Sequence, residues 1–288
     1  MTTMIGFLNI NKPAGCSSAK VVAKVKKQLK VDKVGHMGTL DPLASGILPI
    51  AIGKATRMFD YFLEKTKSYT AWFTFGKTTA TLDSEGEVLD VCDIIPTLEQ
   101  IKAKLPDFVG EIDQMPPEYS AKKVNGVCAY KLARNNVDFY LKPKKVSITK
   151  FDAVKQISAD TFEFEITCGS GTYIRSLARD LAKALGTLGY MSKLVRTVSG
   201  VFNLDNSITL EDIESCTNLE KIIIPIENVF SKIKVQNLDE TLTKKLCDGQ
   251  SVDTKLDDNN YFIHCNGDLI CVANVIDHKM KLKTYLKG

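Results

Sequence analysis

The 288-residue chain carries 44% apolar and 25% charged residues, which suits one large soluble domain, or a main domain with a small appendage. The run Ile47-Leu48-Pro49-Ile50-Ala51-Ile52 falls far short of the roughly 18 residues a membrane span needs, and MTTMIGFLNINKP lacks a basic leader before an apolar stretch, so a cytoplasmic protein is expected. The net charge of +4 is uneven: residues 1 to 50 and 101 to 150 each carry an excess of five positive charges, and residues 201 to 250 an excess of four negative ones. Two basic blocks suit a polyanionic partner, and ordinary solvated helix faces equally well.

In chain order, Phe7 to Asn11 alternates weakly and stops at Lys12-Pro13-Ala14-Gly15, a strand ending in a turn. Ser17 or Ser18 then caps a helix with Val22, Val25 and Leu29 on its apolar face and Lys20, Lys24, Lys27 and Lys30 largely opposite. GHMGTLDPLASG follows at residues 35 to 46. Its Asp41 precedes Pro42, an arrangement that suits a helix cap with proline at the first helical position, or a turn.

Tyr69 to Phe75 and Phe162 to Cys168 have strand composition. The second runs into Gly169-Ser170-Gly171-Thr172 and a helix whose Ile174, Leu177, Leu181 and Leu185 end at Gly186. A strand, glycine turn and helix raise the question of a phosphate cradle. The turn nevertheless lacks the Lys-Ser/Thr of a P-loop and the third glycine of a dinucleotide fingerprint, so no nucleotide cofactor is expected. Arg175 stands in the first turn of that helix, where the dipole disfavours a cation. It either pairs with an anion, a protein carboxylate or a ligand phosphate, or is a tolerated surface residue. Beyond about residue 235, KLCDGQSVD, YFIHCNGDLICVANVID and KLKTYLKG read as short strands of a small β module. The eight cysteines are scattered without a C-x-x-C, and the three histidines form no ligand set, so reduced thiols and no metal are expected.

Three long stretches, LNINKPAGCSS, GHMGTLDPLASGILPIAIGKATR and CGSGTYIRSLARDLAKALG, together resemble the TruB family of tRNA pseudouridine synthases. KSYTAWFTFG and QMPPEYSAKKVNGVCAYKLAR resemble it as well, in family order. The resemblance implies an α+β fold with a mixed, mostly antiparallel sheet flanked by helices over residues 1 to 234. It also implies a reduced, PUA-like β module over 235 to 288. The implied activity is isomerisation of uridine 55 in the T loop of tRNA, by a monomer without metal or organic cofactor. Asp41 falls at the family's nucleophile, Tyr69 at the tyrosine against the uracil, Arg175 at the arginine pairing with the nucleophile, and Leu194 in SKLVRT at an apolar pocket residue. His36 matches a histidine lying against the RNA, and Lys12 with Pro13 a Lys-Pro motif beside the cleft, where the resemblance implies that Lys12 contacts the substrate. Two positions depart from the family: Met37 replaces its usual threonine, and Ala80 stands where an aspartate is common. A non-catalytic RNA-binding protein on the same scaffold and a nucleotide-dependent transferase are the rival readings; intact Asp41, Tyr69 and Arg175 speak against the first.

Overall fold

The computed structural model describes residues 4–62 and 66–287. Its main body is a nine-stranded sheet whose path runs through the strands Gly6–Lys12, Ser45–Ile52, Gly189–Ser199, Lys67–Phe75, Thr161–Cys168, Lys144–Gln156 and Gly110–Gln114. Val34–His36 pairs beside Ser45–Ile52 and Phe202–Asn203 beside Gly189–Ser199. Every pairing is antiparallel except a short parallel contact of Val195 and Arg196 with Ser45 and Gly46. That contact is close: a Cβ on Gly46 would stand 2.3 Å from the Arg196 carbonyl oxygen, and φ there is +99°, so only glycine fits. The expected mixed, mostly antiparallel sheet is therefore present, and the helices Ser18–Leu29, Leu98–Lys104 and Ile174–Ala184 contribute to its principal apolar core.

Alternation decides which face is buried. Tyr69, Ala71 and Phe73 on the Lys67–Phe75 strand pack with Phe162, Phe164 and Ile166 of its neighbour and with Leu177 and Leu181 of the long helix. Ser17 caps the first helix, its side chain accepting from the Lys20 amide. Val21, Val25 and Leu29 bury there, four apart, and Val22 is only half-buried. The apolar face thus centres one residue earlier than the sequence suggests. The first strand would leave one edge open; Phe7 instead exchanges backbone hydrogen bonds of 2.8 Å with Ile224, and Asn11 donates to the Ile208 carbonyl, so the 200s segment covers it.

The C-terminal region forms a five-stranded sheet, ordered Lys234–Asn237, Asn259–Cys265, Asp268–Ile276, Lys279–Tyr285 and Val252–Asp253. KLCDGQSVD is not a strand throughout. Its first three residues close the helix Glu240–Cys247, capped by Asp239 and ended at Gly249 in the left-handed region, and only Val252–Asp253 pairs. Nor is the sheet a loosely attached appendage. Phe262, Val272 and Leu286 share one apolar cluster with Phe7, Met58, Phe62, Phe202 and Phe230 of the main body. All eight cysteines are free.

Candidate active site

Asp41 does not begin a helix. Residues 41 to 44 form a turn in which the Ala44 amide donates to the Asp41 carbonyl at 3.1 Å, and the chain enters the Ser45–Ile52 strand at once. Two forces override the local Asp-Pro signal. Nearly every residue of that strand is buried, as suits the interior of a sheet, and the Asp41 carboxylate is engaged elsewhere. Arg175 Nε lies 3.0 Å from Asp41 Oδ2 and Nη2 3.3 Å from Oδ1, a two-point fork. The Asp41 side chain keeps 31% of its surface open while that of Arg175 keeps 8%.

Arg175 is thus paired, which accounts for a cation in the first turn of its helix. The remaining guanidinium donors reach the Thr81 carbonyl at 2.9 Å and the Tyr119 carbonyl at 3.0 Å, and Asp83 Oδ2 lies 3.5 Å from Nη1. Asp83 is buried and accepts from the Thr81 hydroxyl and the Glu85 amide. A second carboxylate therefore backs the arginine from the loop that carries Ala80. Partial loss of hydration, followed by the charges of Asp83 and Asp41, pushes the Glu85 carboxyl upward.

Three further side chains hold the backbone around Asp41. Ser18 Oγ donates to the Leu40 carbonyl at 2.8 Å and accepts from the Leu40 amide at 2.9 Å. Arg196, only 1% exposed, donates to the carbonyls of Ile47 (2.6 Å), Thr39 (3.3 Å) and Gly38 (3.2 Å). Lys12, expected from the family resemblance to contact substrate, has no exposed surface. Its ammonium donates to the carbonyls of Cys16 (2.6 Å), Pro13 (2.9 Å) and Pro42 (3.2 Å), so it positions the turn from within and is not placed to touch a ligand. Burial lowers its pKa, the nearby Asp41 charge opposing.

Tyr69 sits on the central strand directly opposite Arg196, and Leu194 opposite Ala71, so the phenol, the guanidinium and the leucine share one inward face. Burial pushes the Tyr69 hydroxyl up to about 12 against the neighbouring Arg196 charge, which keeps it a neutral phenol. His36 ends its short strand half-buried; its Nδ1 has no hydrogen-bond partner among the described residues, and burial, followed by Arg196, lowers its pKa toward the neutral ring. Met37 turns its side chain into the apolar junction with the C-terminal sheet, so the threonine's replacement serves packing. Sequence reading missed Arg196, Asp83, Ser18 and Lys67. Two of them were findable by alternation: Lys67 shares a strand face with Tyr69, and Arg196 with Leu194.

Asp41 is a forked, partly open carboxylate in a loop whose backbone is held by buried cations, and one of these, Arg196, stands on the strand face that carries Tyr69 and Leu194. Comparison with known proteins gives this geometry a family. The TruB family pseudouridylate synthase N-terminal domain matches residues 26–174, and the tRNA pseudouridylate synthase B C-terminal domain matches residues 175–231. Curated relatives named tRNA pseudouridine synthase B include one from Ehrlichia canis, 41% identical over 94% of this chain and 90% of its own length. Another from Clostridium kluyveri is 43% identical over 86% of each. Among solved structures, a Cbf5-Nop10-Gar1 complex superimposes with a TM-score of 0.70 at 25% identity, covering 98% of this chain and 84% of that one. The chain belongs to the TruB family of pseudouridylate synthases.

Proposed function

We propose that this protein converts uridine 55 in the T loop of tRNA to pseudouridine, with Asp41 as the nucleophile. The observation that carries the reading is the Asp41–Arg175 fork, which fixes both carboxylate oxygens while leaving the group partly open to a ligand. Isomerising the glycosidic linkage requires uracil to leave the sugar, turn and return through C5. Attack at ribose C1′, attack at uracil C6 and assisted elimination across the sugar all use a carboxylate oriented in this way. The uridine must first leave its stack. Tyr69 then supplies an aromatic face and Leu194 an apolar wall for the ring, while His36, on the rim, lies against the RNA. Lys12 acts through the turn it holds.

Residues 1 to 50 and 101 to 150 face the T arm in this reading, and the enzyme acts as a cytoplasmic monomer. The chain divides near residue 234, where the second sheet begins, and that sheet serves as a reduced PUA-like module that adds tRNA affinity. Incubating total tRNA with the purified protein and mapping pseudouridine tests the assignment. Modification confined to a T-loop uridine is expected; none, or modification elsewhere, overturns it.

A further inference from the structure

Lys67 links the turn at residues 169 to 172 with the loop that carries Asp41, and the charges of Lys144 and Arg196 act on it there. Lys67, 8% exposed, donates from Nζ to Ser170 Oγ at 2.7 Å. Lys144 comes from the other side: its Nζ stands 2.5 Å from where a Cβ on Gly171 would lie, and Gly171 has φ +87°, so the absence of a side chain admits the ammonium. A Cβ on Gly38, three residues before Asp41, would lie 3.8 Å from Lys67 Nζ and 4.0 Å from Arg196 Nη1. Among the described residues no carboxylate forms an ion pair with Lys67, Lys144 or Arg196.

Like charges gathered without a counter-charge raise one another's energy. Lys67 shows the effect: burial first, then the charges of Arg196 and Lys144, lower its ammonium to about 8 against the opposing Cys168. An anion at this corner relieves the repulsion. The corner adjoins the reacting carboxylate, and an RNA strand carries a phosphodiester on either side of every ribose.

We propose that Lys67 and Lys144 form a phosphodiester subsite that grips the substrate backbone beside the target uridine, with Ser170 positioning Lys67. This rests on the reading of the protein as an RNA isomerase. The glycine turn thus serves a phosphate, though one belonging to the substrate strand and not to a nucleotide cofactor. Such a grip fixes the sugar while the base turns over.

The test uses a T-arm hairpin in which each loop phosphodiester in turn is replaced by a neutral methylphosphonate, assayed for binding and isomerisation with the unaltered protein, Lys67→Gln and Lys144→Gln. At one linkage next to the target uridine the replacement should weaken binding by the unaltered protein about ten- to a hundredfold, the range for a charge-assisted contact. Lys67→Gln should bind the unmodified hairpin more weakly by a similar factor, lose nothing further at that linkage, and show a salt slope shallower by about 0.7. Lys144 is exposed, so Lys144→Gln should fold normally and give the same coupling if Lys67→Gln does not fold. If every linkage costs the same in all three proteins while the hairpin is isomerised, the subsite is overturned and the proposed activity stands. If the unaltered protein isomerises neither hairpin nor tRNA, the proposed function falls, and the subsite with it.

Discussion

The Asp41 loop and the C-terminal sheet are ordered by opposite means. In the three central strands of the sheet, neighbours in sequence are neighbours in space: Asn266-Gly267 and Asp277-His278, all in the left-handed region, turn successive strands back on one another. The Asp41 loop has almost no such local support. Its carbonyls and carboxylate are held by Lys12, Ser18, Arg175 and Arg196, drawn from both ends of the main body. Ladder hydrogen bonds tolerate small shifts along a whole strand, whereas a loop clamped by a few buried donors has one geometry or none. That is the requirement of a carboxylate that must face a single reacting atom.

The largest effect expected from breaking this contrast is chemical. Asp41→Asn retains the shape of the side chain and removes its nucleophilic charge, so single-turnover isomerisation should fall by at least about a thousandfold while tRNA affinity stays within a few-fold. Substantial turnover would remove Asp41 from its role. The counterpart in the sheet is Phe262→Ala, which empties part of the shared apolar cluster and should lower unfolding free energy by about 3 to 5 kcal/mol. Its isomerisation rate, measured well below the unfolding transition, should stay near that of the unaltered protein. A collapse in that rate would mean the cluster transmits strain to the loop, and the two regions would no longer be independent.

The same contrast governs what the sequence reveals. The hairpin at Asn266-Gly267, the strand at Phe162 to Cys168 and the helix after it are legible because period and turn chemistry are local. Asp41 was legible as a turn and not as a sheet entry, since nothing near it announces Arg175, 134 residues away. Arg175 itself gave a signal, a cation where the helix dipole disfavours one, and the Asp41 carboxylate is its cause. Arg196 gave none beyond alternation: a lone arginine in a strand reads as exposed, and the carbonyls of Gly38, Thr39 and Ile47 make its burial tolerable. Lys12 misled for a related reason: two of its acceptors, Pro13 and Cys16, lie in the adjacent turn, but the third, Pro42, is 30 residues away.

A smaller effect tests the fork. Arg175→Lys keeps the charge and loses the planar two-point geometry, and a lost charge-assisted hydrogen bond of about 1.5 to 3 kcal/mol corresponds to roughly ten- to somewhat more than a hundredfold in single-turnover rate. Affinity for tRNA should change far less. An equal loss in rate and affinity would place the guanidinium on the RNA backbone in the bound state.

The smallest effect separates the loop's clamps from ordinary helix stability by comparing two adjacent serines. Ser17 caps the Ser18–Leu29 helix through the Lys20 amide at 3.2 Å, and its side chain makes no hydrogen bond to the Asp41 loop. Ser18 bonds both the amide and the carbonyl of Leu40, next to Asp41, through a single buried hydroxyl. Ser17→Ala should cost about 1 kcal/mol as a lost cap, and Ser18→Ala about 1 to 2 kcal/mol as two buried backbone groups lose their partner. The stability losses are therefore similar, and the rates should not be. Isomerisation by Ser17→Ala should match that of the unaltered protein. Ser18→Ala should be slower by a factor below about ten, because Leu40 is free to shift and carries Asp41 off the Arg175 fork. Differential scanning calorimetry with single-turnover rates on the same preparations decides between them. Equal rates in the two variants would show that Arg175, Arg196 and Lys12 hold the carboxylate without Ser18.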